Sequence, residues 1–346
     1  MNYLRGMDAQ AALQRVNEIT ALVVGDVMLD AYLVGHVNRI SPEAPVPIVD
    51  VQKRERRLGG AANVVKNLIA LGAKVEVSAV IGSDEAGTEI KQILERLQVG
   101  TDALVTDENR PTTVKTRVIS NGQQLLRVDE EMASDIDPEL ESAVIAACNK
   151  VLQAQKIDVV IFEGYDKGVL TDRVISAILS TCQSLGVRTT VDPKFRHFHS
   201  YQGVSLFKPN FKELQEGLGI AIHKGSDTSV AQAVKKLCEA LKPELAMVTL
   251  SERGVCFASE RQELPYQRIP AFEREITDVS GAGDAVIAVA SALLALGVPA
   301  WQIAAVANLA GGLVCEKVGV VPVDLGKLQS EWDAHRMDLE SRLVEP

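Results

Sequence analysis

The chain has 346 residues, of which 47% are hydrophobic and 24% are charged, the usual balance of a globular protein. Its net charge of −10 argues against a binder of nucleic-acid backbones, although a local basic pocket for a small anion stays compatible with it. This length allows one or two domains and a core that needs no disulfide or structural metal.

Cysteine spacing and hydropathy exclude further classes. The five cysteines are widely spaced and form no C-x-x-C pair, which favours a reducing compartment over a disulfide framework or a zinc site. The N-terminal segment lacks the apolar core of a signal peptide. The most apolar run, 285–298, is shorter than the roughly 20 residues that span a bilayer. We therefore expect a cytoplasmic protein without membrane or nucleic-acid partners.

Helical and strand patterns alternate along most of the chain, which predicts an α/β fold. The predicted helices are 8–18, 60–71, 85–97, 137–154, 171–184, 230–241, 284–296 and 300–316. The predicted strands are 20–26, 74–81, 158–162, 188–191, 204–207, 245–250 and 254–259. This alternation predicts a mostly parallel central sheet with helices on both faces.

Strands outside the alternation, within about 31–52 and 110–130, predict a small separate sheet. Asn121-Gly122, between two apolar runs, predicts a type I′ hairpin there.

The strongest site motif is Asp278-Val-Ser-Gly-Ala-Gly-Asp284, which directly precedes an apolar helix. Its glycines let the backbone turn tightly, and the helix N-terminus offers free N–H groups to an anion. A carboxylate beside such an anion site needs a task, and Asp284 could accept a proton from an attacking hydroxyl. The alternative is a glycine-rich turn in which Asp284 caps the helix.

Three further segments combine glycine or polar residues with the ends of predicted elements. Arg57-Leu-Gly-Gly-Ala-Ala-Asn63 is either a ligand loop or an ordinary loop-to-helix junction. In Lys208-Pro-Asn-Phe-Lys-Glu213, Asn210 and Glu213 have the spacing of a helix cap pair, and they could also steer a hydrated magnesium ion. Thr249-Leu-Ser-Glu-Arg-Gly254 follows a strand as either a ligand loop or a hairpin turn.

Other catalytic motifs are absent from the sequence. It contains no G-x-x-x-x-G-K-[ST] and no G-x-S-x-G, and Gly281-Ala-Gly283 does not continue as a dinucleotide fingerprint. His197-Phe-His199 lacks a third metal ligand.

Gly59-Gly-Ala-Ala-Asn63 and the late Asp278–Asp284 motif resemble, in this order and separation, the ribokinase-like (PfkB) family of sugar kinases. The similarity covers about residues 18–320. Three further segments are Gly25–Asp30, Gly35–Pro47 and Gln123–Asp129. They resemble one branch of the family, the D-glycero-β-D-manno-heptose 7-phosphate kinases, which make the 1,7-bisphosphate in ADP-heptose biosynthesis.

Two features separate this sequence from the usual pattern of that branch. Many such kinases carry a fused adenylyltransferase domain, but no H-x-G-H signature occurs here, so we expect the kinase alone, as one domain over 1–346. The family's Ser-Asp-Tyr-x-Lys-Gly reads Glu163-Gly-Tyr-Asp-Lys-Gly168 here. The family's aspartate is replaced by Gly164, so we assign no catalytic or binding role to this position.

The resemblance implies ATP and Mg²⁺ as cofactors and assigns roles by matching positions. Asp284 would be the catalytic base beside an anion hole of Gly281, Ala282 and Gly283. The sugar side would be Asp30, Gly59, Gly60 and Asn63. Because the distal phosphate of such a substrate requires a basic group, Lys194 is our first candidate for that contact and Arg127 the second. The nucleotide side would be Asn210, Glu213, Thr249, Ser251, Gly254 and Asn308. Of these, Asn210 and Glu213 would hold Mg²⁺ indirectly, and Asp278 and Ser280 match a K⁺-type monovalent-cation site of some members.

The small sheet would be the family's lid over the sugar. Its apolar residues cannot all face the site, which predicts a homodimer through the lids. They are Val46, Ile48, Val49, Val51, Val114, Val118, Ile119, Leu125 and Leu126. The alternatives are another kinase of this family, acting on fructose 1-phosphate, ribose or a nucleoside, and a catalytically silent sugar-binding regulator.

Overall fold

Strands and helices alternate in the computed structural model, which describes residues 6–259 and 264–341. The first residues of the N-terminal segment, which lacks a signal-peptide pattern, lie outside this range. In the described part the strands are β1 (Thr20–Gly25), β2 (Val27–Ile40), β3 (Pro47–Gly60), β4 (Lys74–Gly82), β5 (Gly100–Asp107), β6 (Val114–Ser120), β7 (Gln123–Glu130), β8 (Val159–Glu163), β9 (Arg188–Asp192), β10 (Leu206–Phe207), β11 (Leu245–Thr249), β12 (Val255–Ser259) and β13 (Leu264–Ile269).

The helices of the described part lie between these strands and at the C-terminal side. They are α1 (Ala9–Leu13), α2 (Ala61–Ala70), α3 (Glu85–Arg96), α4 (Pro138–Ala154), α5 (Asp172–Leu185), α6 (Phe211–Leu218), α7 (Asp227–Leu241), α8 (Ala282–Ala295), α9 (Ala300–Cys315) and α10 (Leu325–Ser341). Several begin at a side-chain cap, such as Asp84 of α3, which accepts a hydrogen bond from the amide of Gly87.

The central sheet has the order β13-β12-β11-β10-β9-β8-β1-β4-β5 in the described residues. The strands from β11 to β5 pair in parallel, whereas β12 and β13 are antiparallel to their neighbours. The carboxyl ends of seven parallel strands therefore meet at one edge, where open α/β sheets bind their ligands.

Apolar side chains cover both faces of this sheet. One core joins the sheet to α1, α2, α3, α8, α9 and α10, and includes the fully buried Trp332. The other joins it to α4, α5, α6 and α7, and includes Phe162 and Phe207. The predicted α/β fold, with a mostly parallel sheet between helical layers, is confirmed.

The second sheet has four strands in the order β3-β2-β6-β7, which we call the lid. The predicted small sheet is confirmed, but β2 and β3 begin and end closer to the central sheet than the expected range 31–52. Ser120 pairs with Gln123 across a two-residue turn, and Asn121 and Gly122 both have positive φ, as a type I′ hairpin requires.

Candidate active site

Polar side chains gather where the parallel strands end. Asp26 follows β1, Glu163 ends β8, and Asp192 ends β9. Lys208 follows β10, and Thr249 ends β11. Four of these side chains are buried: Asp26, Glu163, Asp192 and Lys208. Burying a charged group is costly unless it is paired or hydrogen-bonded.

The loop before α8 has the geometry of an anion site. Gly281 precedes the helix with φ +78, a left-handed conformation that favours glycine. The amides of Gly283 and Asp284, in the first helical turn, have no acceptor within the helix. The side chain of Asp284 does not cap α8, so the cap interpretation of this residue is wrong.

Asp284 is 5% exposed, and its carboxylate faces the strand ends. Its Oδ1 accepts a hydrogen bond from the hydroxyl of Tyr165 at 2.8 Å. Burial raises the pKa of Asp284 above its ordinary value, and the hydrogen bonds of Tyr165 and Asn63 oppose that rise. The arrangement suits a base that must stay ionised in a dry site.

Two lysines balance the acidic groups beside this base. The ammonium of Lys208 lies 2.8 Å from Oδ2 of Asp192, and both side chains are almost fully buried. Lys194 lies 2.6 Å from Oε1 of Glu213 and 3.4 Å from Asp192. These partners lower the pKa of Asp192 and raise that of Lys208 despite burial.

Glu163 forms no ion pair with Lys194 or Lys208 in the described residues. Its side chain is 0% exposed, and neither carboxyl oxygen has a hydrogen-bond partner. Burial and the nearby Asp192 and Asp284 raise its pKa well above the ordinary value.

The predicted nucleotide residues lie at the β10 and β11 side of the edge. Asn210 and Glu213 form a complete capping box at the start of α6, so the cap interpretation is correct for this pair. Asn210 also bridges to Thr249, and Ser251 opens the turn that ends at Gly254 before β12. Asn308, on α9, donates to the carbonyl of Pro270 at 2.9 Å.

The predicted sugar residues lie at the base of the lid. Asp30, on β2, accepts a hydrogen bond from Arg117 at 2.6 Å. A Cβ at Gly59, on the neighbouring β3, would lie 2.3 Å from Oδ2 of Asp30, so a side chain there would displace the Asp30 carboxylate. Gly60 caps α2, and Asn63 in its first turn has a buried Oδ1 without a partner.

The strand register of the lid gives its two faces different chemistry. Directly paired residues share a face, and Tyr32 pairs with Arg117, which pairs with Arg127. Arg57 and Arg117 both lie over the Tyr32 ring, at 5.2 and 5.4 Å. Arg127 therefore shares the basic face of the lid with Asp30, although its nearest partner is Asp129 at 2.9 Å.

The predicted cation residues organise a loop. Asp278 accepts hydrogen bonds from the amides of Ser280 and Gly319, each at 2.9 Å. In the part of the chain that the structure describes, no group of three or more His, Cys, Asp or Glu side chains could hold a metal ion alone.

The fold thus brings the predicted base, anion loop and nucleotide residues to one edge, with the sugar residues under the lid. Sequence reasoning gave no role to Tyr165, Asp26, Arg117 or Lys208. For Tyr165 a usable indication existed, since it follows a predicted strand at the edge where α/β sheets bind ligands.

The comparison with known families gives the class of protein, a sugar kinase. The model of the pfkB family of carbohydrate kinases matches residues 2–324, so the chain belongs to that family. Membership implies ATP as the phosphoryl donor.

Two similar proteins carry a more specific name than the family does. The bifunctional protein HldE of Wolinella succinogenes is 42% identical over 327 residues, 94% of this chain and 67% of that protein. The bifunctional protein HldE of Syntrophotalea carbinolica is 37% identical over 331 residues, 96% of this chain and 66% of that protein. The chain spans about two thirds of the length of these relatives.

Solved structures agree on the fold. Phosphofructokinase-2 from Escherichia coli, in its tetrameric inhibited form, superposes with a TM-score of 0.72 at 16% identity, covering 91% of this chain and 99% of that chain. Arabidopsis thaliana ribokinase complexed with ribose and ATP gives 0.68 at 18%, covering 90% and 98%. Within residues 6–259 and 264–341, no helix is long and apolar enough to cross a bilayer.

Proposed function

We propose that this kinase transfers the γ-phosphoryl group of ATP to the anomeric O1 of D-glycero-β-D-manno-heptose 7-phosphate, giving the 1,7-bisphosphate of ADP-heptose biosynthesis. The observation that carries the chemistry is the buried Asp284 in the first turn of α8, beside free helix amides. The substrate rests on the resemblance of the lid segments to heptose 7-phosphate kinases and on relatives named HldE.

The transfer needs one base and one anion site. Asp284 accepts the O1 proton as O1 bonds to the γ-phosphorus, while the bond to the bridging oxygen of ADP breaks. The amides after Gly281 stabilise the charge on the moving phosphoryl group. The buried Lys208 lies close to this loop, since a Cβ built on Gly283 would be 3.9 Å from its ammonium. We therefore expect its positive charge to help stabilise the moving phosphoryl group.

Magnesium would neutralise phosphate charge and orient the nucleotide. Asn210 and Glu213 would hold its waters, and the unpartnered Glu163 carboxyl adds an oxygen donor at the same edge. Asp278 and Ser280 stay our proposed contacts for a monovalent cation such as K⁺.

The distal phosphate of the acceptor needs a basic contact. Lys194 is the first candidate because its ammonium lies at the strand edge, above the ring of Tyr165 at 5.6 Å. Arg127 is the second candidate because it shares the lid face of Asp30. The sugar hydroxyls would contact Asp30, Gly59, Gly60 and Asn63.

An ADP-release assay with a panel of acceptors tests this proposal. Heptose 7-phosphate should exceed fructose 1-phosphate, ribose and nucleosides in kcat/KM by orders of magnitude. A preference for another sugar would be compatible with the kinase activity but would contradict heptose 7-phosphate as the substrate. Phosphate dependence is the quickest comparison, using the sugar with and without its 7-phosphate.

The variant Asp284→Asn separates an enzyme from a silent binding protein. It should retain ATP binding and the fold but lose at least about a hundredfold in kcat, the contribution of a general base. Glu213→Gln on the nucleotide side serves as a comparison, because it should affect the KM for ATP. Full turnover by Asp284→Asn would contradict the assignment.

A further inference from the structure

Tyr165 reaches from the loop after β8 to the carboxylate of Asp284. The two residues are 119 positions apart, and the hydroxyl lies 2.8 Å from Oδ1. Tyr165 is half-buried, and a tyrosine hydroxyl that is shielded from water usually finds a hydrogen-bond partner, so this shielding alone could explain a hydrogen bond. It does not explain why the partner is the carboxylate that the reaction uses.

The loop that carries Tyr165 is fixed by a buried carboxylate. Asp26, 3% exposed, accepts hydrogen bonds from three backbone amides of this loop. Its Oδ2 lies 2.8 Å from the amide of Tyr165 and 3.0 Å from that of Lys167, and its Oδ1 lies 3.2 Å from that of Val169. The backbone amide of Asp26 in turn donates to the carbonyl of Glu163. The loop geometry is therefore set by the end of β1.

A carboxylate base needs one oxygen free and correctly directed. Tyr165 donates to Oδ1 and Asn63 also hydrogen-bonds to this carboxylate. Because each carboxylate oxygen has two lone pairs, the group can still accept the proton of the acceptor hydroxyl. Without hydrogen bonds, the carboxylate could rotate about its side-chain bonds and sample other orientations. Because misplacement of a reacting group lowers the rate, a bond that fixes this orientation should favour the reaction.

We propose that Tyr165 is a positioning residue for Asp284, with its hydroxyl fixing Oδ1 and Asp26 fixing the loop that carries it. This inference rests on the proposed role of Asp284 as the base. It also gives the altered segment Glu163-Gly164-Tyr165 a function that does not need the aspartate usual in the family.

The charges that face Asp284 determine the sign of the pH effect. These charged groups come from the β8 end, from β9, from the residue after β10 and from α2, and the neutral Tyr165 faces the carboxylate beside them. They are Glu163, Asp192, Lys208 and Lys66. Burial raises the pKa of Asp284, and the Tyr165 bond lowers it. The pKa of Tyr165 itself is raised well above its usual value, so its hydroxyl keeps the proton that it donates.

The test is the variant Tyr165→Phe, which removes only the hydroxyl. We expect kcat to fall roughly ten- to hundredfold, the loss of one hydrogen bond to a charged group. The acid limb of the kcat/KM profile should move upward by about one pH unit, because the charged form of Asp284 loses a donor. The KM for ATP should stay within about twofold of the wild type.

Tyr266→Phe is the matched control. Its hydroxyl also donates to a carboxylate, that of Asp227 at 3.0 Å, but away from Asp284. This variant should leave the acid limb unchanged. A loss of kcat in Tyr165→Phe without movement of the acid limb would overturn the positioning role.

A measurement without substrate separates this inference from the proposed function. In enzyme labelled with ¹³C at aspartate carboxyls, the Asp284 resonance is identified by its absence in Asp284→Asn. Its titration midpoint should be higher in Tyr165→Phe than in the wild type. An unchanged midpoint defeats the inference even if the kinase is active, whereas a raised midpoint supports it even if heptose 7-phosphate is not the acceptor.

Discussion

Lys194 already has two carboxylate partners in the structure. Its ammonium touches Glu213 at 2.6 Å and Asp192 at 3.4 Å, so its charge is already used in the free enzyme. Together these carboxylates raise its pKa, and it stays a cation throughout the working range. A phosphate group on the acceptor would therefore compete with Glu213 for the same ammonium.

We predict that Lys194→Ala raises the KM for the phosphosugar by about ten- to hundredfold, as expected for loss of a charge-assisted contact. The KM for ATP should rise much less. Steady-state kinetics with each substrate varied checks this. Lys212→Ala, on the exposed side of α6, is the control and should change neither constant.

Equal effects of Lys194→Ala on both constants would show that the lysine serves Glu213 and the nucleotide side. In that case Arg127, on the basic face of the lid, becomes the first candidate for the phosphate contact.

At the scale of elements, the lid is joined to the central domain through Arg110. This arginine lies in the segment between β5 and β6 and is 9% exposed. Its guanidinium donates to the carbonyls of Met132, Lys167 and Ser134 at 3.1, 2.8 and 2.6 Å. It therefore links the exit of β7 to the loop that carries Tyr165.

We predict that Arg110→Ala loosens the lid relative to the site. The free energy of unfolding should fall by about 2–3 kcal/mol because three carbonyls lose a charged donor. The KM for the acceptor should rise, and ATP hydrolysis without acceptor should increase as water enters. Urea denaturation and ADP release without sugar measure these effects.

Arg188→Ala is the control for that variant, since Arg188 pairs with Glu244 at the opposite end of β9. It should alter neither the acceptor KM nor the background hydrolysis. If Arg110→Ala lowers stability while both kinetic properties stay normal, Arg110 supports the fold but does not hold the lid.

The elements show where sequence patterns are sufficient. Helix α3 follows its predicted range 85–97 within one residue, because its cap and apolar spacing are local properties. Strand β13 was not predicted, since Pro265 and Gln267 interrupt its apolar pattern, and proline is tolerated there only because the strand is at the sheet edge. Strand β5, at the other edge, was missed for its polar composition.

The site shows the same division. Asp284 could be identified from the sequence because the glycine-rich motif and the start of the following helix are contiguous in the chain. Its hydrogen bond to Tyr165 depends on the order of β8, β1 and α8 in space, which no local pattern contains. The nearby pair of Asp192 and Lys208 likewise forms only because β9 and β10 are neighbours.

At the scale of the whole molecule, the net charge of −10 coexists with a basic ligand face. Arg57 and Arg117 lie on one side of the lid, whereas the anion loop before α8 uses backbone amides. Bulk charge therefore does not describe this face of the lid, and under the proposed function an anionic acceptor would meet these arginines and the loop amides.

The other side of the lid is apolar. Leu126 and Val128 of β7 are 57% and 46% exposed, and the register places them beside Val118 and Thr116 of β6. An edge strand with apolar exposed residues is a pairing surface unless it is covered. A second copy of the chain would cover it with the same residues, in a two-fold interface.

We predict that the protein is a homodimer through this lid face. Light scattering at micromolar concentration should give the mass of two chains, and Leu126→Glu should convert the protein to monomers by burying an unpaired charge. Leu185→Glu, at a position on α5 that is 48% exposed against 57% for Leu126, should leave the dimer intact. If the wild type is a monomer, or if Leu185→Glu dissociates it as Leu126→Glu does, the lid face is not the interface.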